Sequence, residues 1–265
     1  MLFLSSPNLL SPDLLPAFAR TAGIIAFMPG ISSPQVPFPV RAGLVFGICA
    51  AVAPALAAAG VAAAGAIGDD TSLGRFGLIL LTEVTFGVVI GYGASLLMEA
   101  ARLAGELINL QIGLGAAELF DPVGAPRSSL LGTFYSLVAV MLFLQLDGHH
   151  WVLAGLHRSF LVAPVGCLVY KSALIPLVLN LWGTMCDLAL RMGAPVMATL
   201  LLTDLAFGLV VRAVPQVNIL FVGMPAKIGL GFLGLALTAS VFLAALTGLL
   251  GDLQTYIMEV LRLVR

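Results

Sequence analysis

The chain has 265 residues, of which 60% are hydrophobic and only 9% are charged, and its mean hydropathy is +1.11. Soluble domains carry about 25% charged residues, so a chain this poor in charge cannot cover a globular surface in water. The net charge of −1 leaves no basic surface for nucleic acid. We therefore expect a membrane protein and no nucleic-acid partner.

Apolar stretches long enough to cross the roughly 30 Å hydrocarbon core of a bilayer recur along the chain. They are uniformly apolar rather than alternating, which favours helices over barrel strands. The predicted fold class is an all-α membrane protein of long kinked helices and helical hairpins. No basic region precedes an apolar core at the N-terminus, so a cleaved signal peptide is not expected. The stretches are Leu14–Ile31, Val40–Gly68, Phe76–Met98, Ser128–Leu146, Leu174–Met197, Ala198–Val214 and Ile228–Leu250.

A polar pattern follows the third stretch and predicts that its helix continues beyond the apolar zone. The polar positions recur at spacings of three and four: Glu99, Arg102, Glu106 and Asn109. Leucines are predicted on the opposite face: Leu103, Leu107, Leu110 and Leu114. The polar face, with Gln111 beyond it, is either a solvated surface or a surface that lines a channel or contacts a partner.

Residues 111–127 (QIGLGAAELFDPVGAPR) join two predicted helices through a glycine-flanked, apolar segment. An apolar loop exposed to water is unusual. This segment is better suited to fill a pore or to pack into a partner, with Leu114, Leu119 and Phe120 as the filling groups.

Two carboxylates, Glu83 and Asp204, lie within apolar runs. An ionisable residue inside a membrane indicates a function such as an ion path by default. The alternative is neutralisation in the bundle, and Arg212 is the expected cation for Asp204. Asp187 and Arg191 are spaced to pair along one helix.

The residues Asp147, His149 and His150 contain metal-ligating groups. Adjacent histidines are expected to point to different faces of a helix and no HExxH motif occurs, so no metal site is predicted. The chain also lacks a Walker A motif and a GxSxG motif. We therefore expect neither an enzyme nor a cofactor.

Residues 215–227 (PQVNILFVGMPAK) form a polar, proline-bounded break between two apolar helices. The chain is able to reverse here into a hairpin, and an ordinary interhelical loop remains the other interpretation. The polar groups that need partners are Gln216, Asn218 and Lys227.

These segments together resemble the FliR family of flagellar export-gate proteins, whose relatives in virulence secretion systems are named SctT. The resemblance runs from about Phe18 to Gly251 and depends on the order and spacing of short motifs. The motifs are Met28-Pro29, Val36-Pro37 with Arg41, Ala104-Gly105-Glu106, Gln111-Ile112-Gly113, Asp121-Pro122, Asp147-Gly148-His149, Ser159-Phe160, Pro164-Val165-Gly166, and Arg212 to Asn218 with Lys227.

The resemblance implies a FliP-like helical part at 1–193 and a FliQ-like C-terminal hairpin at 194–265, packed into a larger helical assembly. It implies a channel plug at about 113–126, made by Gly113, Leu114, Leu119, Phe120, Asp121, Pro122 and Val123. It also implies a hairpin hinge at Arg212, Pro215, Gln216, Asn218 and Lys227.

The implied partners are FliP-like and FliQ-like gate subunits, FlhB-like and FlhA-like export components, basal-body ring and proximal rod proteins, and exported flagellar proteins as substrates. The implied location is the bacterial inner membrane at the flagellar basal body.

The sequence leaves two other functions as alternatives to an export gate. A secondary transporter would bind a small solute at broken helices through Glu83 or Asp204, but no convincing repeat of several helices is visible. An intramembrane enzyme would need a catalytic pair, for which Asp187 and Asp204 are the candidate residues.

Overall fold

The computed structural model describes residues 15–33, 35–58, 72–114, 129–166, 171–214 and 219–264, and in these ranges it is all helical, without strands. This confirms the predicted all-α class. Seven α-helices occur in these ranges. They are α1 (Leu15–Phe27), α2 (Phe38–Ala58), α3 (Leu73–Ile112), α4 (Leu130–Gln145), α5 (Gly148–Val162), α6 (Leu174–Ala213) and α7 (Ile219–Leu263).

Three helices are long and apolar enough to cross a membrane: α3, α6 and most of α7. The pair α4 and α5 is bent by 63° at the short break between them, and together the two make a fourth candidate span. The chain is therefore an all-α membrane protein with long helices.

The structure corrects two of the predicted segments. The stretches predicted at 174–197 and 198–214 form the single helix α6, which continues through Pro195. Helix α5 was not among the predicted spans because His149, His150 and Arg158 interrupt its apolar pattern. Each of the two predicted stretches is long enough to cross most of the roughly 30 Å of lipid, but the helix does not end between them.

The chain divides into two compact units, each built from several segments. Unit 1 contains Met1–Leu96, Phe143–Leu181 and Gly251–Arg265, and unit 2 contains Leu97–Leu142 and Trp182–Leu250. The N-terminal part of α3 thus belongs to unit 1 and its C-terminal part to unit 2.

In unit 1, glycines let α1 lie directly against α3. A Cβ atom at Gly87 would lie 2.1 Å from the carbonyl oxygen of Arg20, and one at Gly91 would lie 2.6 Å from that of Ile24. Only residues without a side chain permit such a backbone approach. Gly43 and Gly47 on α2 have the same four-residue spacing, but they face open space.

In unit 2, α6 and α7 form an antiparallel hairpin. Lys227 bonds to Asp204, and a Cβ at Gly234 would lie 3.6 Å from the side chain of Val196. Both pairs are spaced symmetrically about the connection between the helices, as an antiparallel arrangement requires. The chain thus reverses after α6, which is one of the two interpretations that the sequence left open.

The long helices leave most of their apolar surface uncovered by the chain itself. In the most apolar windows of α3, α6 and α7, only 28%, 11% and 17% of the residues are buried. Lipid or other apolar protein must therefore cover the remaining surface.

Candidate functional site

The C-terminal end of α3 is the point where the predicted plug loop leaves the helix. Gly113 has a φ of +89°, the left-handed conformation that glycine adopts without strain. Its N–H donates to the carbonyl of Leu110, and the N–H of Leu114 donates to that of Asn109, both at 3.2 Å. These two bonds make a Schellman cap, which ends the helix at Ile112, two residues beyond the predicted end.

Three of the predicted polar residues share an exposed face of α3, and they bind one another. Arg102 Nη1 lies 2.6 Å from Glu106 Oε1, and Arg102 also pairs with Glu99. Their side chains keep between 34% and 49% of their exposure. The arrangement is a solvent- or partner-accessible charged patch that carries one excess negative charge.

Asn109 departs from the prediction, because it is 5% exposed and its Oδ1 atom has no hydrogen-bond partner in the described part of the chain. The prediction that leucines form the opposite face of this helix was also wrong. Leu110 is 70% exposed, whereas Ala104 and Ile108 are completely buried. The side of α3 that faces the protein here carries Ala104 and Ile108, and at Gly105 the helix approaches the backbone of Leu131 closely, as small residues permit.

Gln111 joins a polar cluster that links α3 to the C-terminal hairpin. Lys227 Nζ lies 2.8 Å from Asp204 Oδ1, and Gln111 Nε2 donates to Asp204 Oδ2 at 3.2 Å. The next residue, Ile112, contacts α7, where a Cβ at Gly231 would lie 2.5 Å from its side chain. The last turn of α3 is thus held by one polar and one apolar contact.

The cation that neutralises Asp204 is Lys227 and not Arg212, which was expected. Arg212 lies two turns further along the same helix, about 12 Å away in rise, and is exposed. The symmetric spacing of Asp204 and Lys227 about the break at 215–218 was the sequence signal that could have identified this pair.

Glu83 has a partner in unit 1 that the sequence did not reveal. Its Oε2 atom lies 2.6 Å from Arg20 Nε, and both side chains are completely buried. Its Oε1 atom accepts from the N–H of Gly166 at 2.9 Å. Arg20 Nη1 also donates to Ser159 Oγ and to the carbonyl of Ala163. The carboxylate therefore ties α1, α3 and the end of α5 together.

Aromatic rings enclose the buried guanidinium. Its Cζ atom lies 4.5 Å from the ring centroid of Phe160 and 5.2 Å from that of Phe86. Cation–π attraction of this kind offsets part of the cost of removing a cation from water.

The ion pair predicted on α6 is confirmed, since Arg191 lies 2.7 Å from Asp187.

Comparison with known proteins identifies the family. The family described as "Bacterial export proteins, family 1" matches residues 12–253, which is nearly the whole chain. This chain belongs to that family.

Relatives of the chain include flagellar biosynthetic protein FliR from three bacteria. The protein of Escherichia coli is 30% identical over 215 residues, 80% of this chain and 78% of its own length. That of Caulobacter vibrioides is 30% identical over 224 residues, 84% and 86% of the two chains. The match to the Pectobacterium carotovorum protein, at 34% identity, covers 60% of this chain and 61% of that relative, less than two thirds. The resemblance to FliR proteins is confirmed.

Several residues to which the resemblance gives a role in this export family lie outside the described residues. They are Leu119, Phe120, Asp121, Pro122 and Val123 of the predicted plug, and Pro215, Gln216 and Asn218 of the predicted hinge. Of the same sets, Gly113, Leu114, Arg212 and Lys227 are described. Lys227 lies inside α7 rather than in the connection, which is shorter than predicted.

Proposed function

We propose that this chain is a subunit of the flagellar type III protein export gate. It helps to form and close the channel through which unfolded flagellar proteins cross the bacterial inner membrane at the flagellar basal body. The observation that carries the proposal is the family match over residues 12–253, together with relatives named flagellar biosynthetic protein FliR. The subunit acts through its shape and contacts rather than as an enzyme.

The lengths of the helices support a place in a larger assembly. Helices α3 and α6 have 40 residues each and are thus about 60 Å long. This is about twice the thickness of the hydrocarbon core. A large part of each helix must then lie outside lipid, where its apolar surface needs protein partners.

The partners that we propose are FliP-like and FliQ-like gate subunits, with FlhB-like and FlhA-like components, rod and ring proteins around them. In this proposal residues 1–193 take the place of a FliP-like subunit and residues 194–265 that of a FliQ-like hairpin. Helix α6, with Pro195 inside it, runs without a break across this boundary, so the two parts share one helix.

The segment 113–126 is the proposed plug of the channel. Its apolar residues Leu114, Leu119, Phe120 and Val123 would exclude water from a narrow pore, and a dry apolar constriction stops ions. The hydrogen-bonded cap at Gly113 fixes the position at which the plug segment leaves α3. Energy for export would come from other components of the apparatus.

The charged patch at Glu99, Arg102 and Glu106 is the proposed partner- or channel-facing surface of α3. It is accessible and already paired within itself. Internal pairing lowers the cost of enclosing these charges in an assembly, since a buried unpaired charge costs far more than a paired one.

A solute transporter finds no support in the structure. Such a protein needs a carboxylate that is free to bind solute, but Glu83 is bound to Arg20 and Gly166, and Asp204 is bound to Lys227 and Gln111. The comparisons likewise name export and flagellar proteins.

A gene deletion in the protein's own host tests the proposal. We expect cells without flagella that keep filament and hook proteins inside, with secretion restored when the intact gene returns. Immunoblots of culture supernatant and cells measure the distribution of these proteins. Normal flagella in the deletion strain, or a defect limited to the uptake of one solute, would contradict the proposal.

A further inference from the structure

The turn between α4 and α5 gathers three metal-ligating side chains to which the proposed function gives no role. Asp147, His149 and His150 each offer one ligand atom, and these three atoms lie within 4.8 Å of one another. The two imidazole rings are 4.2 Å apart between centroids. The expectation that these adjacent histidines would point to different faces was therefore wrong.

Asp147 is directed toward this cluster by an unusual backbone conformation. It is the one non-glycine residue with a positive φ in the described ranges, at 58°. It occupies the N-cap position of α5, yet its side chain makes no capping hydrogen bond. An aspartate at this position ordinarily accepts from a backbone N–H of the first turn. Here its Oδ1 atom instead lies 3.1 Å from His150 Nδ1.

Gly148, which follows Asp147, restricts how the turn can rearrange. A Cβ at Gly148 would lie 2.4 Å from the ring of Phe143, so the turn is packed against the end of α4. This packing fixes the backbone that carries the three ligand side chains. His149 Nδ1 is buried and has no hydrogen-bond partner in the described part of the chain.

We propose that Asp147, His149 and His150 bind one divalent transition-metal ion, for which Zn²⁺ is the appropriate probe. Two neutral imidazoles and one carboxylate are a set that such ions accept, with the remaining positions open to water or another ligand. Ligand atoms about 2.1 Å from a tetrahedral zinc ion are about 3.4 Å apart. The 3.1 Å separation of Asp147 Oδ1 and His150 Nδ1 is close to that spacing.

The ion would hold the turn that precedes α5. All three ligands lie in four consecutive residues at a place where the helix axis turns by 63°. Binding there joins the turn to the first residues of α5.

The chain offers a matched control, because it contains three histidines and the third, His157, is outside the cluster. We would purify the full-length chain in detergent with a tag that contains no histidine and remove metal with a chelator. Zn²⁺ would then be titrated against a chromophoric competitor. We expect one ion per chain, and at least about tenfold weaker binding in each of H149A, H150A and D147N. Loss of a group that merely supports a ligand already costs about 10- to 100-fold. H157A should bind like the unsubstituted chain.

Absence of saturable binding at micromolar Zn²⁺, or equal loss of binding in H157A, would overturn the site. Should the cluster variants misfold, Co²⁺ in the unsubstituted chain provides a second measurement. Its visible absorption reports nitrogen ligation, and a spectrum of oxygen ligands alone would also refute the proposal.

Discussion

Arg20 on α1 and Glu83 on α3 form an ion pair with a separation of 2.6 Å, and neither side chain is exposed. The two residues are 63 positions apart in the chain, so the contact fixes α1 on α3 and is not local. A buried pair of this kind is costly to break, because the remaining partner becomes an uncompensated charge.

The first prediction concerns that pair. Glu83→Gln should destabilise the protein by about 3–5 kcal/mol, because Arg20 then lies buried without its counter-ion. The double variant Arg20→Met with Glu83→Leu should recover part of this loss, because it removes both charges. Thermal unfolding in detergent measures the stability of each variant.

The same variants distinguish packing from proton conduction at Glu83. If Glu83 only holds helices together, the double variant should support export in proportion to its folded amount. Complete loss of export from a well-folded double variant would contradict a structural role.

The second prediction concerns the contact of α1 with α3. Gly87→Ala should destabilise the protein by about 1–3 kcal/mol, because the added methyl group collides with the backbone of Arg20. Gly43→Ala is the matched control: it adds the same group where nothing lies within 4 Å. Since alanine favours a helix by up to about 1 kcal/mol over glycine, the control should be neutral or stabilising. Equal loss of melting temperature in both variants would count against the described packing.

The third prediction concerns Asp204 and Lys227. Each of Asp204→Asn and Lys227→Met should reduce secretion of flagellar proteins, because the last turn of α3 loses its polar link to the hairpin. The exchanged pair Asp204→Lys with Lys227→Asp should restore part of the secretion. Asp187→Asn is the control, because its ion pair is more exposed and such pairs contribute less than about 1 kcal/mol. Failure of the exchange to rescue either single variant would argue against a direct pair.

The fourth prediction concerns the plug. Deletion of residues 114–123 should leave assembly intact and make cells leak ions, because the apolar seal is lost. A strain with the same ten positions replaced by glycine and serine should leak as well, since it keeps the length without the apolar groups. Membrane potential, read with a fluorescent dye, measures the leak. An unchanged potential in both strains, with assembled gates, would refute the plug.

Local pattern was enough to predict much of this fold. The apolar runs predicted the helices, the polar spacing after Met98 predicted the continuation of α3, and Gly113 marked its end. These features depend on residues within a few turns of one another, which a sequence displays directly.

The remaining features depend on contacts between distant segments. The partner of Glu83 on α1 and the burial of Asn109 both follow from how helices dock, not from position along one helix. Positions 99 and 109 share a face by helical angle, but neighbouring helices cover only one of them. The 4.2 Å separation of the His149 and His150 rings, beside Asp147 in a left-handed conformation, is likewise not indicated by residue spacing.

Native mass spectrometry of the tagged chain, extracted in mild detergent from its own host, would show directly whether this chain is part of an export gate. We expect a complex that holds one copy of this chain with several copies of two other small membrane proteins. Those proteins should be FliP-like and FliQ-like subunits. A monomer or homodimer without such partners, persisting under gentler extraction, would contradict the claim that this chain is part of an export gate.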